Sequence, residues 1–322
     1  MSTNPATVAI RSAVRESLAS CSAGDTVLVA VSGGADSLAL AAALIPECKN
    51  LLIKLVGVTI DHQLQSTSTE QANKVVIQLS QLGFSEIENV KVQVEITDGI
   101  EASARRARYA ALDLISEKHG AKLIFLGHTL NDQAESVLLG LARGSGARSL
   151  SGMARTSGKY CRPLLGITRT QTLAACAENN LLPWTDPHNS DSQFARVRVR
   201  AEALPKLEES IGPGITEALA RSADLLRDDA DALDGLAEQY ALGLDLSDIE
   251  VVGLASLPKA IRTRILRMAI YAAGAPSGSI SADHVASVEA LITSWHGQGA
   301  CSLPGGVKVE RISGRLSLLS RT

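Results

Sequence analysis

The 322-residue chain is 45% hydrophobic and 20% charged, with a formal net charge of −3. That length suits two domains and a substantial core, the acidic balance argues against a polyanion-coating surface, and the apolar runs are too short for a membrane span. Cysteines at 21, 48, 161, 176 and 301 are scattered without a CxxC pair, which argues against a disulfide framework, a zinc ribbon or an iron–sulfur cluster.

Residues 1–20 lack the continuous apolar stretch of a secretion signal, so the cytoplasm is the expected location. Val8, Ala13, Val14 and Leu18 mark the expected apolar face of an N-terminal helix. Strands are predicted at 26–32, 52–60, 90–96 and 122–128, with helices between them that include 69–82 and 101–118. Near-continuous apolar strands alternating with helices predict an α/β fold with a parallel sheet covered on both faces. Ligands of such sheets collect at the carboxyl ends of the strands. Three of these ends are polar: Ser32-Gly33-Gly34, Asp61-His62 and His128.

The first of these ends begins a run of unusual density, SGGADS at 32–37. A strand turning through glycines into a helix aims backbone N–H groups and the helix dipole at one place, which favours an anion. Gly33 and Gly34 remove the Cβ atoms that would hold phosphate oxygens away. Ser32 and Ser37 can donate to the same oxygens. Asp36 would repel a bare phosphate, which makes sense if a divalent cation, Mg2+, lies between them. The plainer alternative is a glycine turn with Asp36 or Ser37 serving only as helix N-cap.

Residues 144–160 are rich in Gly, Ser and basic residues and are expected to form a mobile loop. The chain then resumes strand-like and helical character, and beyond Pro205 a long helical pattern runs to about residue 240. Two more helical stretches are expected between 251 and 296, and a hairpin in the tail, with turns at Pro304-Gly305-Gly306 and Ser313-Gly314. The domain boundary is placed near 205–215, giving domains 1–210 and 211–322. Arginines gather at 105, 106 and 108, at 143, 148 and 155, and at 196, 198 and 200. Such clusters on an acidic chain suggest a specific phosphate-bearing partner.

The SGGADS run resembles the SGGxDS signature of the PP-loop ATP pyrophosphatases, whose fold is adenine-nucleotide alpha-hydrolase-like; it is not a Walker A loop, since GxxxxGK[ST] is absent. Within that superfamily, EASARRARYAALD (101–113), GHTLNDQAESVLLGLARGSGARSLSGM (127–153), RPLLGITR, WTDPHNSDSQFARVRVRAEALP (184–205) and SLPGGVKVER resemble segments of the tRNA(Ile)-lysidine synthetases. The resemblance covers nearly the whole chain, and the short form, with a catalytic domain and a smaller, mainly helical one, is the expectation. Ser136, Val197, Thr129 and Gln63 depart from the family's usual Thr, Asn, His and Gly.

The resemblance implies a ligase that uses ATP and Mg2+, free L-lysine and a tRNA(Ile) with a CAU anticodon. The O2 of the wobble cytidine attacks the ATP α-phosphate, and the amine of lysine then displaces AMP at C2. It also implies the residue roles. ATP binding falls to Ser32, Gly33, Gly34, Ala35, Asp36, Ser37, Asp61 and His62, with Asp36 reaching Mg2+ through the phosphates. Catalysis falls to Asp36, Arg108, His128 and Arg200. Asp132 and Glu135, one helical turn apart, are expected to hold lysine, with helix capping as the structural alternative for Asp132. Arg105, Arg143, Arg196 and Arg198 are expected at tRNA or phosphate, with ion pairs as the alternative for Arg196 and Arg198. In the second domain Arg262, Arg264 and Arg267 are spaced for a basic stripe, so that domain is expected either to measure the tRNA or to stabilise a homodimer. An RNA thiolation enzyme and a non-catalytic nucleotide sensor are the rival readings.

Overall fold

The computed structural model describes residues 4–63, 68–96, 99–144, 146–185, 191–276 and 278–320. Ser145 of the RGSG stretch and residues 186–190 of the WTDPHNSD stretch lie outside them. The chain divides into two units, 1–140 with 152–223 and 141–151 with 224–322.

The first unit opens with helix α1 (Pro5–Ser17), followed by β1 (Thr26–Ala30), α2 (Ala35–Asn50), β2 (Lys54–Asp61), α3 (Ser68–Leu82), β3 (Ile87–Lys91), α4 (Ile100–His119), β4 (Leu123–Phe125) and α5 (Leu130–Ala142). After α6 (Ala147–Leu150), which belongs to the second unit, come β5 (Thr156–Ser157), β6 (Tyr160–Cys161), α7 (Arg169–Glu178), α8 (Ala195–Arg198) and α9 (Leu204–Ile211). A π-helical turn at Val199–Ala203 joins the last two.

Six strands form one sheet in the order β3-β2-β1-β4-β6-β5. Every neighbouring pair is parallel except the β5–β6 hairpin. The period of a strand sorts β1 cleanly. Val27 and Val29, with Val31 just beyond, enter a core built with α1, α2, α3 and α7, while Leu28 joins Val56, Val58 and Ile124 against Leu112 and Ile115 of α4. Both faces are therefore covered, as the apolar strands require. Each fully buried Leu or Val contributes roughly 1.5–3 kcal/mol.

Several local expectations shift. The buried face of α1 is Ala6, Ile10, Val14 and Leu18, whereas Val8 is 61% exposed; the fourfold spacing of that row outweighs the single valine. The third strand lies at 87–91 rather than 90–96, because its register is set by pairing with Gly57–Asp61 of β2. Residues 144–160 are not simply a loop. They include α6 and the first strand of a hairpin in which Thr156 pairs with Cys161. The expected strand-like RPLLG stretch is a 3-10 turn, Pro163–Gly166.

The second unit shares α10 (Ile215–Ala241), which is continuous through the division after Ala223. The domain boundary expected near 205–215 falls at the junction of α9 and α10, whereas the division into units comes after Ala223 and places 141–151 with the second unit. Beyond it are β7 (Asp248–Glu250), α11 (Val251–Ala255), α12 (Lys259–Ala272), α13 (Ala282–Thr293), β8 (Cys301–Ser302), β9 (Val307–Ile312) and β10 (Arg315–Ser320). The tail hairpin is present as β9–β10, within a four-stranded antiparallel sheet ordered β7-β10-β9-β8. Three helices rather than two precede it. The expected basic stripe on α12 is broken, because packing takes two of its three arginines: Arg262 is buried against Glu289 of α13 at 2.6 Å and Arg264 donates to Asp234 at 2.6 Å, which leaves Arg267 exposed.

Among the described residues no helix is long and apolar enough to cross a membrane.

Candidate active site

The sheet brings the SGGADS turn and the end of β4 together. Gly33 has φ +86°, and a Cβ there would stand 2.8 Å from Val75 Cγ2 and 3.0 Å from Gln71 Nε2. Only glycine fits that turn without strain. The Ser32 N–H donates to Ser37 Oγ at 3.2 Å, and Ser37 Oγ donates to Gly34 O at 3.0 Å. Ser37 is buried and ties the turn closed, while Ser32 is exposed. Gly34 is the N-cap of α2 and supplies no side-chain cap. The first-turn amides around Ala35 and Asp36 therefore have no intrahelical acceptor, the arrangement that favours an anion at a helix N-terminus.

Strand β4 runs beside β1. Just past its end, a Cβ on Gly127 would lie 3.0 Å from both N and Cα of Ser37 and 3.1 Å from the carbonyl carbon of Asp36. His128 follows immediately, so its backbone is anchored beside the phosphate turn. Its Nδ1 is buried without a partner among the described residues, as is that of His62. Burial pushes the His128 imidazole down to about 3; Asp132 opposes this, and Arg108, Arg162 and Arg196 reinforce it. Burial also lowers the pKa of His62, helped by Arg108 and opposed by Asp61. Both rings are neutral at pH 7.

Arg108 is thus close enough to act on both histidines. It is half-buried on α4, its guanidinium 5.8 Å from the Tyr109 ring centre. Burial lowers its pKa, and Arg105 and Arg196 add to the effect. No hydrogen bond or ion pair fixes it among the described residues.

Asp36 has partners that the sequence reading missed. The Arg169 Nη2 donates to Asp36 Oδ2 at 3.1 Å, and the Thr172 hydroxyl donates to Oδ1. Both donors lie in the first turn of α7, which is held by a Thr168–Gln171 capping box. Arg169 ends the RPLLGITR stretch and Arg162 begins it. Arg162 is also buried; it donates to Ala154 O at 3.0 Å and Tyr109 Oη at 3.3 Å, and its Nε has no partner. Two arginines bracketing an apolar run were the available signal.

The two carboxylates on α5 are brought together and already occupied. Asp132 Oδ2 accepts from the Thr129 N–H at 2.8 Å and its hydroxyl at 2.9 Å, the capping role weighed from the sequence. Glu135 is fully buried. It accepts from Arg196 Nε at 2.9 Å and from Arg200 Nε and Nη2 at 2.6 and 3.0 Å. Arg200 Nη2 also reaches Asp132 Oδ1 at 3.3 Å. Burial alone would raise the Asp132 pKa, but the Thr129 N–H, His128, Arg196 and Arg169 hold it below the ordinary value.

Other expected residues stand differently. Asp61 is buried, with Oδ1 accepting from Gln63 N at 2.9 Å and Oδ2 from the Thr69 hydroxyl at 2.7 Å. Burial would raise its pKa, yet Ser68, Thr69, Gln63 and Lys91 keep it lowered. Of the Asp61-His62 pair, His62 has the unengaged polar atom. Arg105 is exposed, stacked 4.8 Å over Tyr109. Arg198 is exposed and donates to the Ser192 and Gln193 carbonyls at 2.7 and 2.9 Å. Arg143 is exposed in segment 141–151, which groups with the second unit.

Among the described residues no group of three or more His, Cys, Asp or Glu could hold a metal. Asp36 is the carboxylate at the phosphate turn, and this fits Mg2+, which commonly takes one or two carboxylates and otherwise binds substrate phosphates and water.

Residues 7–207 match the PP-loop domain family, and residues 250–317 match the TilS substrate binding domain. The chain is 50% identical over 314 residues to the tRNA(Ile)-lysidine synthase of Thermobifida fusca, covering 97% of each. It is 52% identical over 295 residues to that of Streptomyces coelicolor, covering 90% of this chain and 84% of the relative. Among solved structures, the U34-tRNA thiolase NcsA from Methanococcus maripaludis shares the fold, with a TM-score of 0.57 at 19% identity over 68% of this chain and 78% of that one.

Proposed function

The chain belongs to the tRNA(Ile)-lysidine synthase family of ligases, and from that premise we propose that it joins lysine to C2 of the wobble cytidine of a CAU-anticodon tRNA(Ile). ATP is consumed to AMP and pyrophosphate through an adenylated cytidine. The observation that carries this reading is the close approach of Gly127 to Asp36 and Ser37, which anchors His128 beside the phosphate turn.

In the first step the turn at Ser32–Ser37 takes the β- and γ-phosphates. The cytidine O2 attacks the α-phosphorus, and the bond to pyrophosphate breaks. Positioning and charge neutralisation dominate such chemistry. Arg108 supplies positive charge, and the neutral His128 and His62 offer hydrogen bonds without adding charge. Asp36 would hold Mg2+ on the phosphates; when bound, the ion supplies charge neutralisation of the leaving pyrophosphate.

In the second step the lysine ε-amine attacks C2 and AMP leaves. Free lysine is an ammonium of pKa ~10.4, so it needs an anionic seat and a proton acceptor. Asp132 and Glu135 provide the seat once Arg196 and Arg200 release them, and a carboxylate of the pair takes the proton or passes it to water as the C2–N bond forms and the C2–O bond to AMP breaks. Arg200, freed, is then available to the nucleotide or the reacting end of the tRNA. Arg105, Arg143 and Arg198, being exposed, are available to the RNA backbone.

The test is direct. Incubate the protein with ATP, Mg2+, labelled lysine and unmodified tRNA(Ile) carrying CAU, and measure acid-precipitable label. Incorporation without a thiol donor, abolished in Asp36→Ala, supports the proposal; pyrophosphate release with a sulfur requirement, or ATP binding with no turnover, overturns it.

A further inference from the structure

Both oxygens of Asp36 are taken in this structure, Oδ2 by Arg169 and Oδ1 by Thr172. Neither donor is there by chance of rotamer. The backbone N–H of Arg169 donates to Asn131 Oδ1 at 2.9 Å, which pins the root of the side chain to α5. The capping box fixes the turn that carries both residues. The Asp36 side chain is 15% exposed and that of Arg169 35%. The ion pair therefore faces the phosphate turn from a partly dry site, where electrostatics is screened less than at the surface.

We propose that Arg169 is a positioning residue for nucleotide entry: it holds Asp36 as a neutral pair, so that the polyphosphate can bind before the divalent cation does. This rests on the ATP site proposed above. A bare Asp36 would repel the incoming phosphates. Paired with Arg169 it does not, and the carboxylate stays aimed at the turn. Asp36 would hold the cation once the polyphosphate is in place, since a guanidinium and a metal ion compete for one carboxylate. Thr172 keeps its hydrogen bond throughout and fixes the carboxylate's orientation without changing its charge.

The experiment measures ATP dissociation constants by calorimetry, once in excess EDTA and once in excess Mg2+. It compares wild type, Arg169→Met, Arg169→Lys and Thr172→Val, each checked for an intact fold by thermal melting. Arg169→Met weakens metal-free ATP binding about fivefold, the upper end of the scale for one partly exposed charge pair, and leaves binding with Mg2+ within about twofold. The ratio of the two constants therefore rises. Arg169→Lys keeps the wild-type ratio, and Thr172→Val weakens both conditions alike. A ratio unchanged in Arg169→Met, or binding lost equally in both conditions, overturns the proposal and leaves Arg169 a structural strut. If Arg169→Met does not fold, a lysine variant whose ratio departs from that of wild type overturns it equally. A wild type without ATP affinity in Mg2+ contradicts the ATP-site reading instead.

Discussion

Glu135 and Arg200 meet at two points, Nε to Oε1 at 2.6 Å and Nη2 to Oε2 at 3.0 Å, with the carboxylate fully buried and the arginine on a π-helical turn. Arg196, four residues earlier, donates to the same carboxylate. The pair thus occupies the carboxylate proposed to seat lysine, from a π turn of the kind that is frequent at functional sites.

Glu135→Gln keeps the shape and removes the charge. Hydrogen bonds to a charged partner contribute more than neutral ones, so the KM for lysine rises at least about tenfold. Lysine-independent ATP–pyrophosphate exchange in the presence of tRNA is retained, because the phosphate turn is untouched. Steady-state lysine titration and exchange assays on the same preparation check the split.

Burial holds the His128 ring far below its ordinary value of 6.5, down to about 3. The unfolded chain therefore takes up a proton near pH 6.5 that the folded chain refuses, and stability falls as pH drops from 6.5 toward 3. Between pH 6.5 and 5 this one group accounts for up to about 2 kcal/mol. Urea unfolding at pH 7 and pH 5 should show a smaller loss in His128→Gln than in wild type, and the pH–rate profile of the adenylation step should lack an inflection near 6.5 from this residue.

Gly127→Ala places a methyl group 3.0 Å from the Ser37 backbone. The turn and His128 must separate by a few tenths of an ångström, and misplacement on that scale is expensive for in-line chemistry. The kcat of lysidine formation should fall at least about tenfold, with tRNA affinity unchanged by filter binding.

In the second unit, Arg262→Met leaves the buried Glu289 with only the ammonium of Lys259, 3.7 Å away. Breaking such a pair costs about 3–5 kcal/mol, whereas replacing both partners with apolar residues is often neutral. Urea unfolding followed at Trp295, in a Trp184→Phe background, should show the loss in Arg262→Met and its recovery in Arg262→Met/Glu289→Leu.

Most of the sheet was legible in the sequence because its strands are apolar throughout and its phosphate turn is dense in special residues. The end of β3 was not, since the alternation VKVQVEI continues past the last partner that β2 offers. Asp36 and His128 could be singled out because they follow strands, and Asp132 and Glu135 because they stand one helical turn apart on α5. Arg169 and Thr172 were missed because their role depends on α7 folding back 133 and 136 residues from Asp36, which no local pattern encodes. The arginines of α12 misled for the opposite reason. Their spacing is that of an exposed stripe, but the acidic partners Glu289 and Asp234 come from other helices.

In the proposed reaction the phosphate turn and the histidine just past β4 serve one step, transfer of AMP to a base. ATP labelled at the α-phosphorus, mixed with Mg2+ and CAU-anticodon tRNA(Ile) but no lysine, tests it. Label should appear on the tRNA, leave as AMP when lysine is added, and be absent in Asp36→Ala. A wild-type enzyme that forms lysidine without ever carrying the label on tRNA, or an Asp36→Ala enzyme that labels it equally well, would contradict the account.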